Sequence, residues 1–221
     1  MSKIVTTDYT IDKIAAPNLP VAPRDWDPRF QDQFSNVLRL YFNRIDDFIA
    51  RLKTGSGAID GSGLRLPYGA FQDNTTQTAA SANVAYTVTF NTTDSSNGVY
   101  IGTPTSRVVV ENAGIYNFQF SAQLDKTSGA SAYIWIWPRV NGTNIPDSAS
   151  KVAIQGTTAE SVPSWNFVLP MNAGDYFELV WLTDDNKVVL KHEAGFGVAP
   201  NNVPEIPSVI LTATFVSALP A

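Results

Sequence analysis

The 221-residue sequence contains no cysteine, so it forms no disulfide, no thiolate metal site and no cysteine nucleophile. It has one histidine, His192, so a histidine-based metal site would need carboxylates for its other ligands. A Ser-His-Asp triad would need a serine and an aspartate to converge on that residue. A lone histidine between Lys191 and Glu193 reads more simply as a surface or interface residue. Charge is scarce as well: Asp, Glu, Lys and Arg make up 16% of the chain, below the roughly 25% usual in globular domains. The formal net charge of −5 gives no basic footprint for a phosphate backbone, so nucleic acid is not an expected partner. No run approaches the roughly 18 apolar residues of a membrane helix, and Met1-Ser2-Lys3-Ile4-Val5 lacks the apolar core of a secretory signal. No membrane partner is expected, and the glycosylation sequons beginning at Asn74, Asn91 and Asn141 read as ordinary turns. Phosphate-cradling glycine loops and the H-E-x-x-H zinc motif are also missing. No catalytic residue, metal ligand or cofactor is expected.

What is present is 44% hydrophobic residues set among abundant Thr, Ser, Asn and Gly, a mix that suits β-sheets joined by polar turns. Residues 1–27 carry Pro17, Pro20 and Pro23 without a helical period. Proline fixes φ and removes a donor, so an extended arm is expected, with Ile11, Ile14, Leu19 and Val21 to bury against a partner. Residues 28–53 differ. Asp27 followed by Pro28 is a helix start, and Phe34, Leu38, Tyr41, Ile45, Phe48 and Leu52 follow at alternating steps of four and three. That is an a/d seam of nearly three heptads, which predicts a helical stem that self-associates as a coiled coil. The alternative is a single amphipathic helix lying on its own domain. Residues 54–63, rich in Gly and Ser, form a flexible tether of roughly 18 Å root-mean-square reach.

Residues 64–221 alternate in short runs: 83–90, 107–111, 113–124, 131–140, 163–171, 175–182, 186–193 and 208–216. Asn97-Gly98, Asn141-Gly142 and Asp185-Asn186 punctuate them as hairpin turns. This predicts a mainly β fold, an antiparallel sandwich of about ten strands. In 115–124 one face is apolar (Tyr116, Phe118, Phe120) and the other polar (Asn117, Gln119, Ser121). By contrast Tyr133-Ile134-Trp135-Ile136-Trp137 is apolar on both faces, as is 176–182 except at Glu178. A sandwich buries one face of each sheet, so a two-sided strand calls for another copy of the chain, for covering loops, or for a role as exposed aromatic platforms.

The body resembles the jelly-roll family of the complement globular heads and tumour necrosis factor. Gly114-Ile115-Tyr116-Asn117-Phe118-Gln119-Phe120 matches that family's G-x-Y-x-F-x-F strand, with Phe90-Asn91 before it. Gly174-Asp175-Tyr176-Phe177 and the closing run 209–215 follow in the family's order. Pro67-Tyr68-Gly69-Ala70-Phe71-Gln72-Asp73 and Trp137-Pro138-Arg139-Val140-Asn141-Gly142-Thr143 resemble landmarks of bacteriophage virion proteins carrying this domain. Arg24-Asp25-Trp26-Asp27-Pro28-Arg29-Phe30 is similar to the stem of structural proteins from marine phages, those of cyanobacteria above all. The resemblance implies a homotrimer of ten-stranded jelly rolls. The head core or threefold interface is then expected at Tyr116, Phe118, Phe120, Tyr133, Trp135, Trp137, Phe177 and Trp181.

Asp184-Asp185-Asn186 offers oxygens to calcium, but the triplet sits where a hairpin turn is expected and such residues serve turns. The expected function is a non-enzymatic phage virion structural protein, a fibre or capsid decoration assembled in the host cytoplasm. Its partners are itself and, through residues 1–53, other virion proteins. The alternative is a receptor-binding module whose head recognises host surface glycans.

Overall fold

Asp27 ends an irregular stretch and caps the one helix. In the computed structural model, which describes residues 17–21, 23–53, 66–156 and 159–220, helix α1 spans Pro28–Lys53. The Asp27 carboxylate accepts the N–H of Arg29 at 2.9 Å, and its carbonyl accepts that of Phe30 at 3.1 Å. Two otherwise orphaned donors of the first turn are thereby satisfied. Residues 17–21 and 23–27 take no regular structure. Residues 1–16 of the expected arm and the Gly/Ser segment 54–63 lie outside the described residues, as do the side chains of Phe48 and Leu52. The chain divides into two compact units, Met1–Arg65 and Leu66–Ala221.

The second unit is mainly β. Its strands are β1 (Tyr68–Asp73), β2 (Gln77–Thr78), β3 (Tyr86–Thr87), β4 (Thr92–Asn97), β5 (Val99–Ile101) and β6 (Val108–Val110). Next come β7 (Gly114–Ala122), β8 (Leu124–Lys126), β9 (Ala132–Val140), β10 (Thr143–Asn144) and β11 (Ser150–Ile154). The last are β12 (Glu160–Ser161), β13 (Ser164–Met171), β14 (Tyr176–Thr183), β15 (Val188–Leu190) and β16 (Val209–Ser217). The count exceeds the expected ten because several, such as β2, β3, β10 and β12, are two-residue pieces pairing at the margins of longer strands.

All strand pairs are antiparallel. One five-stranded sheet runs β13-β7-β16-β1-β4. A seven-stranded sheet runs β10-β9-β14-β6-β5, with β11 paired to β9 and β3 to β14. A small sheet, β12-β8-β15-β2, continues beyond the end of β7. The chain passes repeatedly from one large sheet to the other, so their inner faces form one core, a β sandwich.

Alternation along β7 sets the inward phase: Tyr116, Phe118 and Phe120 are buried while Gln119 is exposed. Phe118 stacks on Phe177 of β14 at 4.2 Å with the planes 5° apart, joining the two sheets. Phe120 meets Trp165 edge-on at 4.7 Å, and Trp181 is buried beside Tyr86. Gly114 has a local reason. A Cβ there would run into the ring of Phe215, which meets Tyr116 edge-on at 5.5 Å. The Asn141-Gly142 turn joins β9 to β10 with φ of 51° and 77°, the two left-handed residues a tight hairpin needs. Phe118→Ala is expected to lower the unfolding free energy by about 3–5 kcal/mol in a urea titration. A loss below about 1 kcal/mol would show that the stack does not hold the sheets.

Candidate interaction surfaces

The outer face of the five-stranded sheet is built row by row from its register. One row is Ser164, Ser121, Ile210 and Gln72, and the next is Asn166, Gln119, Thr212 and Ala70. A third is Val168, Asn117, Thr214 and Tyr68. None of these side chains is charged. Val168 is 57% exposed and Tyr68 and Ile210 about as open as each other, at 43% and 40%. Asn166 donates to Asn117 at 2.9 Å across the strands. Only on the neighbouring β4 does an acid appear, Asp94, which accepts from Gln72 at 2.8 Å. Four adjacent strands thus present a charge-free, partly apolar surface, and depletion of charge is one mark of the centre of a protein interface.

The seven-stranded sheet is different outside. Ile134 and Ile136 point into the core and are fully buried. Tyr133, Trp135 and Trp137 therefore face outward, Tyr133 being 41% exposed. The eight aromatic residues expected at the head core or a threefold interface thus divide: Tyr116, Phe118, Phe120, Phe177 and Trp181 are buried in the core, and these three lie on the outer face. The reason is phase. With both faces apolar, the smaller β-branched residues fit between the sheets and the rings are left outside. Lys151, opposite Trp135 in register, places its ammonium 3.6 Å from the Tyr133 ring centroid and 5.1 Å from that of Trp135. Trp135, Trp137 and Leu182 line a groove of about 770 Å³, whose other wall includes Asn144, Asp147 and Ser148. Trp137 Nε1 donates to Asn144 Oδ1 at 2.8 Å, and Arg139 Nε donates to the same oxygen at 2.7 Å.

Two of the charged groups buried in the body face an opposite charge, and a third, Asp73, accepts hydrogen bonds from Thr75, Thr89 and Asn91 instead. Glu178, the polar exception on β14, is 6% exposed. It accepts from Ser106 Oγ at 3.0 Å and lies 3.8 Å from Arg107 Nε. Lys126 is fully buried with Nζ 3.4 Å from Asp185 Oδ2, yet its ammonium makes no hydrogen bond. Asp184 and Asp185 are occupied by the turn: Asp184 accepts Tyr133 N at 2.7 Å and Asp185 accepts Lys187 N at 3.0 Å. His192 Nε2 is 3.5 Å from Glu205, with no serine–aspartate pair assembled on it. Among the described residues no group of three or more His, Asp or Glu side chains is arranged to hold a metal. Asn141 donates to Asp175 at 2.7 Å and accepts Tyr176 N at 3.0 Å, so two of the sequence landmarks meet.

The chain matches no family model and no curated protein. Its surfaces must therefore be read from their own chemistry. On α1, Phe34, Leu38, Tyr41 and Ile45 of the seam are half-buried, and Leu40 and Phe42 beside it are each 57% exposed. Sequence reasoning missed Asn144 and Asp147, which lie in a polar loop without a motif, and Lys126, whose inward phase is visible only beside Leu124. Asp185→Ala should lower stability by about 2 kcal/mol, because it leaves a buried cation unpaired. Adding Lys126→Met should restore wild-type stability or exceed it in the same urea assay. No restoration by the second change would show that the pair is not the cause.

Proposed function

We propose that the protein is a non-enzymatic structural component of a bacteriophage particle, a homotrimer whose arm and stem attach it to other virion proteins and whose β heads project. One observation carries the assembly: the charge-free outer face of β13, β7, β16 and β1. Water-facing sheet surfaces ordinarily carry Lys and Glu, which also block edge and face association. This face has none, while the opposite sheet carries Arg139 and Lys151 outside. The threefold contact is therefore assigned to the five-stranded sheet and not to Tyr133, Trp135 and Trp137. Three copies meeting around an axis would cover Val168, Ile210 and Tyr68 and pair the amides and hydroxyls between them.

The strand orders support a jelly-roll winding. In the five-stranded sheet the first long strand of the body lies beside the last, and β7 and β13 follow outward from them. The other sheet takes β6, β14, β9 and β11 in turn. Such a winding is what the resemblance to the complement-head and tumour-necrosis-factor family implies. The virion assignment draws on the likeness of Arg24–Phe30 and Pro67–Asp73 to phage structural proteins. The α1 seam supports a stem. Six such side chains per chain, each worth about 1.5–3 kcal/mol when buried, are enough to bind three helices together.

Light scattering of the full chain should give a mass of about 72 kDa, three times the 24.0 kDa chain. In an Ile45→Asp background, which breaks the stem seam, Val168→Asp should shift it toward 24 kDa at low micromolar concentration, with the β circular-dichroism signal retained. A monomeric wild-type chain, or an Ile45→Asp/Val168→Asp variant of unchanged mass, would contradict the assignment.

A further inference from the structure

We infer that the groove on the outer face of the seven-stranded sheet binds a chain of neutral pyranose sugars, making the head a glycan reader as well as a building block. The floor is aromatic. Trp135 and Trp137 stand two residues apart on β9, so their side chains leave one side of the strand at points about 7 Å apart. Two indoles at that spacing suit two successive sugar rings, whose C–H faces pack on aromatic π-clouds. Leu182, opposite Trp135 in register, completes the apolar floor.

The indole of Trp137 does not swing freely. Its Nε1 donates to Asn144 Oδ1 at 2.8 Å, and Arg139 Nε holds the same oxygen at 2.7 Å. The edge of the ring is thus tied to the loop, which leaves its face toward the groove and the Asn144 amide N–H groups available as donors. Lys151 lies 3.6 Å from the Tyr133 centroid and 5.1 Å from that of Trp135, so of the three rings only that of Trp137 has no ammonium over it. Asp147 sits on the rim, exposed, with its backbone held at φ 55°. A carboxylate there accepts hydrogen bonds from sugar hydroxyls, Ser148 adds a hydroxyl oxygen, and Arg139 and Lys151 beside the indoles keep the rim of mixed charge, which suits a neutral ligand. An apolar floor with a few placed polar groups is the usual make-up of a small-molecule site. A purely apolar partner would leave Asn144, Asp147 and Ser148 desolvated without replacement bonds.

The groove lies on the sheet opposite the charge-free face, so a trimer formed through that face leaves it open. The inference extends the receptor-binding alternative and does not depend on the trimer. The test uses the full chain, with tryptophan fluorescence and calorimetry against maltohexaose, cellohexaose, mannohexaose, chitohexaose and a galactose hexamer. Decaproline and an oligoguluronate serve as the rival peptide and anionic ligands. At least one neutral hexasaccharide should bind saturably. Trp137→Ala should weaken it roughly tenfold or more, and Asn144→Ala and Asp147→Ala each by roughly threefold, with melting temperatures near wild type. No saturable binding across the neutral panel would overturn the inference. So would affinity unchanged in both Trp137→Ala and Asp147→Ala, or a preference for decaproline or oligoguluronate. Light scattering on the same samples separates the two readings: a monomer that binds sugar overturns the trimer alone, and a trimer that binds none overturns the groove alone.

Discussion

The stack of Phe118 on Phe177, 4.2 Å apart and nearly parallel, is the contact on which the head depends. It belongs to both sheets at once, since β7 lies inside one and β14 inside the other. Phe167 packs near the same pair, with its centroid 6.4 Å from Phe177. Once these rings fix which side of each sheet is inside, alternation fixes every other side chain on those strands. The sandwich buries one face per sheet and leaves two outer faces whose chemistry the core does not dictate. Those faces diverge: one is charge-free and flat in composition, and the other combines aromatic rings, paired charges and a groove.

Under the proposed reading, that divergence gives the two surfaces separate work. A sheet face of Asn, Gln, Ser, Thr and a few apolar residues is costly to keep in water only where Val168, Ile210 and Tyr68 stand open. Packing against neighbouring copies around an axis can satisfy the amides and cover the apolar residues together. The Trp135–Trp137 face cannot be closed so simply, because Arg139 and Asn144 hold the indole edge and a cavity remains beside it. The stem helix, with its seam at Phe34, Leu38, Tyr41 and Ile45, adds an apolar stripe of coiled-coil spacing in the other unit.

Much of the fold was legible in the residues, and the gaps have physical causes. The helix start at Asp27-Pro28, the inward set on β7 and the Asn141-Gly142 turn were readable because one local rule governs each. The phase of β9 was not. Tyr133 to Trp137 is apolar at every position, and an apolar pattern without polar alternation does not say which side is buried. The choice fell to packing volume, with Ile134 and Ile136 inside. The two-residue strands were invisible for another reason, since they exist only where a loop meets a neighbouring strand. Asn144 and Asp147 gain meaning only from the indoles that the hairpin folds against them. Glu178 was visible as an exception on an apolar strand, but its partners Ser106 and Arg107 come from a distant loop.

The chain's lack of cysteine permits a direct measurement of whether the charge-free face is covered. Val168→Cys places one thiol on that face, and Ala153→Cys places one on the outer side of β11 in the opposite sheet. Rates of maleimide labelling are then compared over a dilution series. The account predicts that the thiol at position 168 reacts at least roughly tenfold more slowly than that at 153 in concentrated protein, and that its rate rises as dilution separates the copies. Equal rates at every concentration would contradict it.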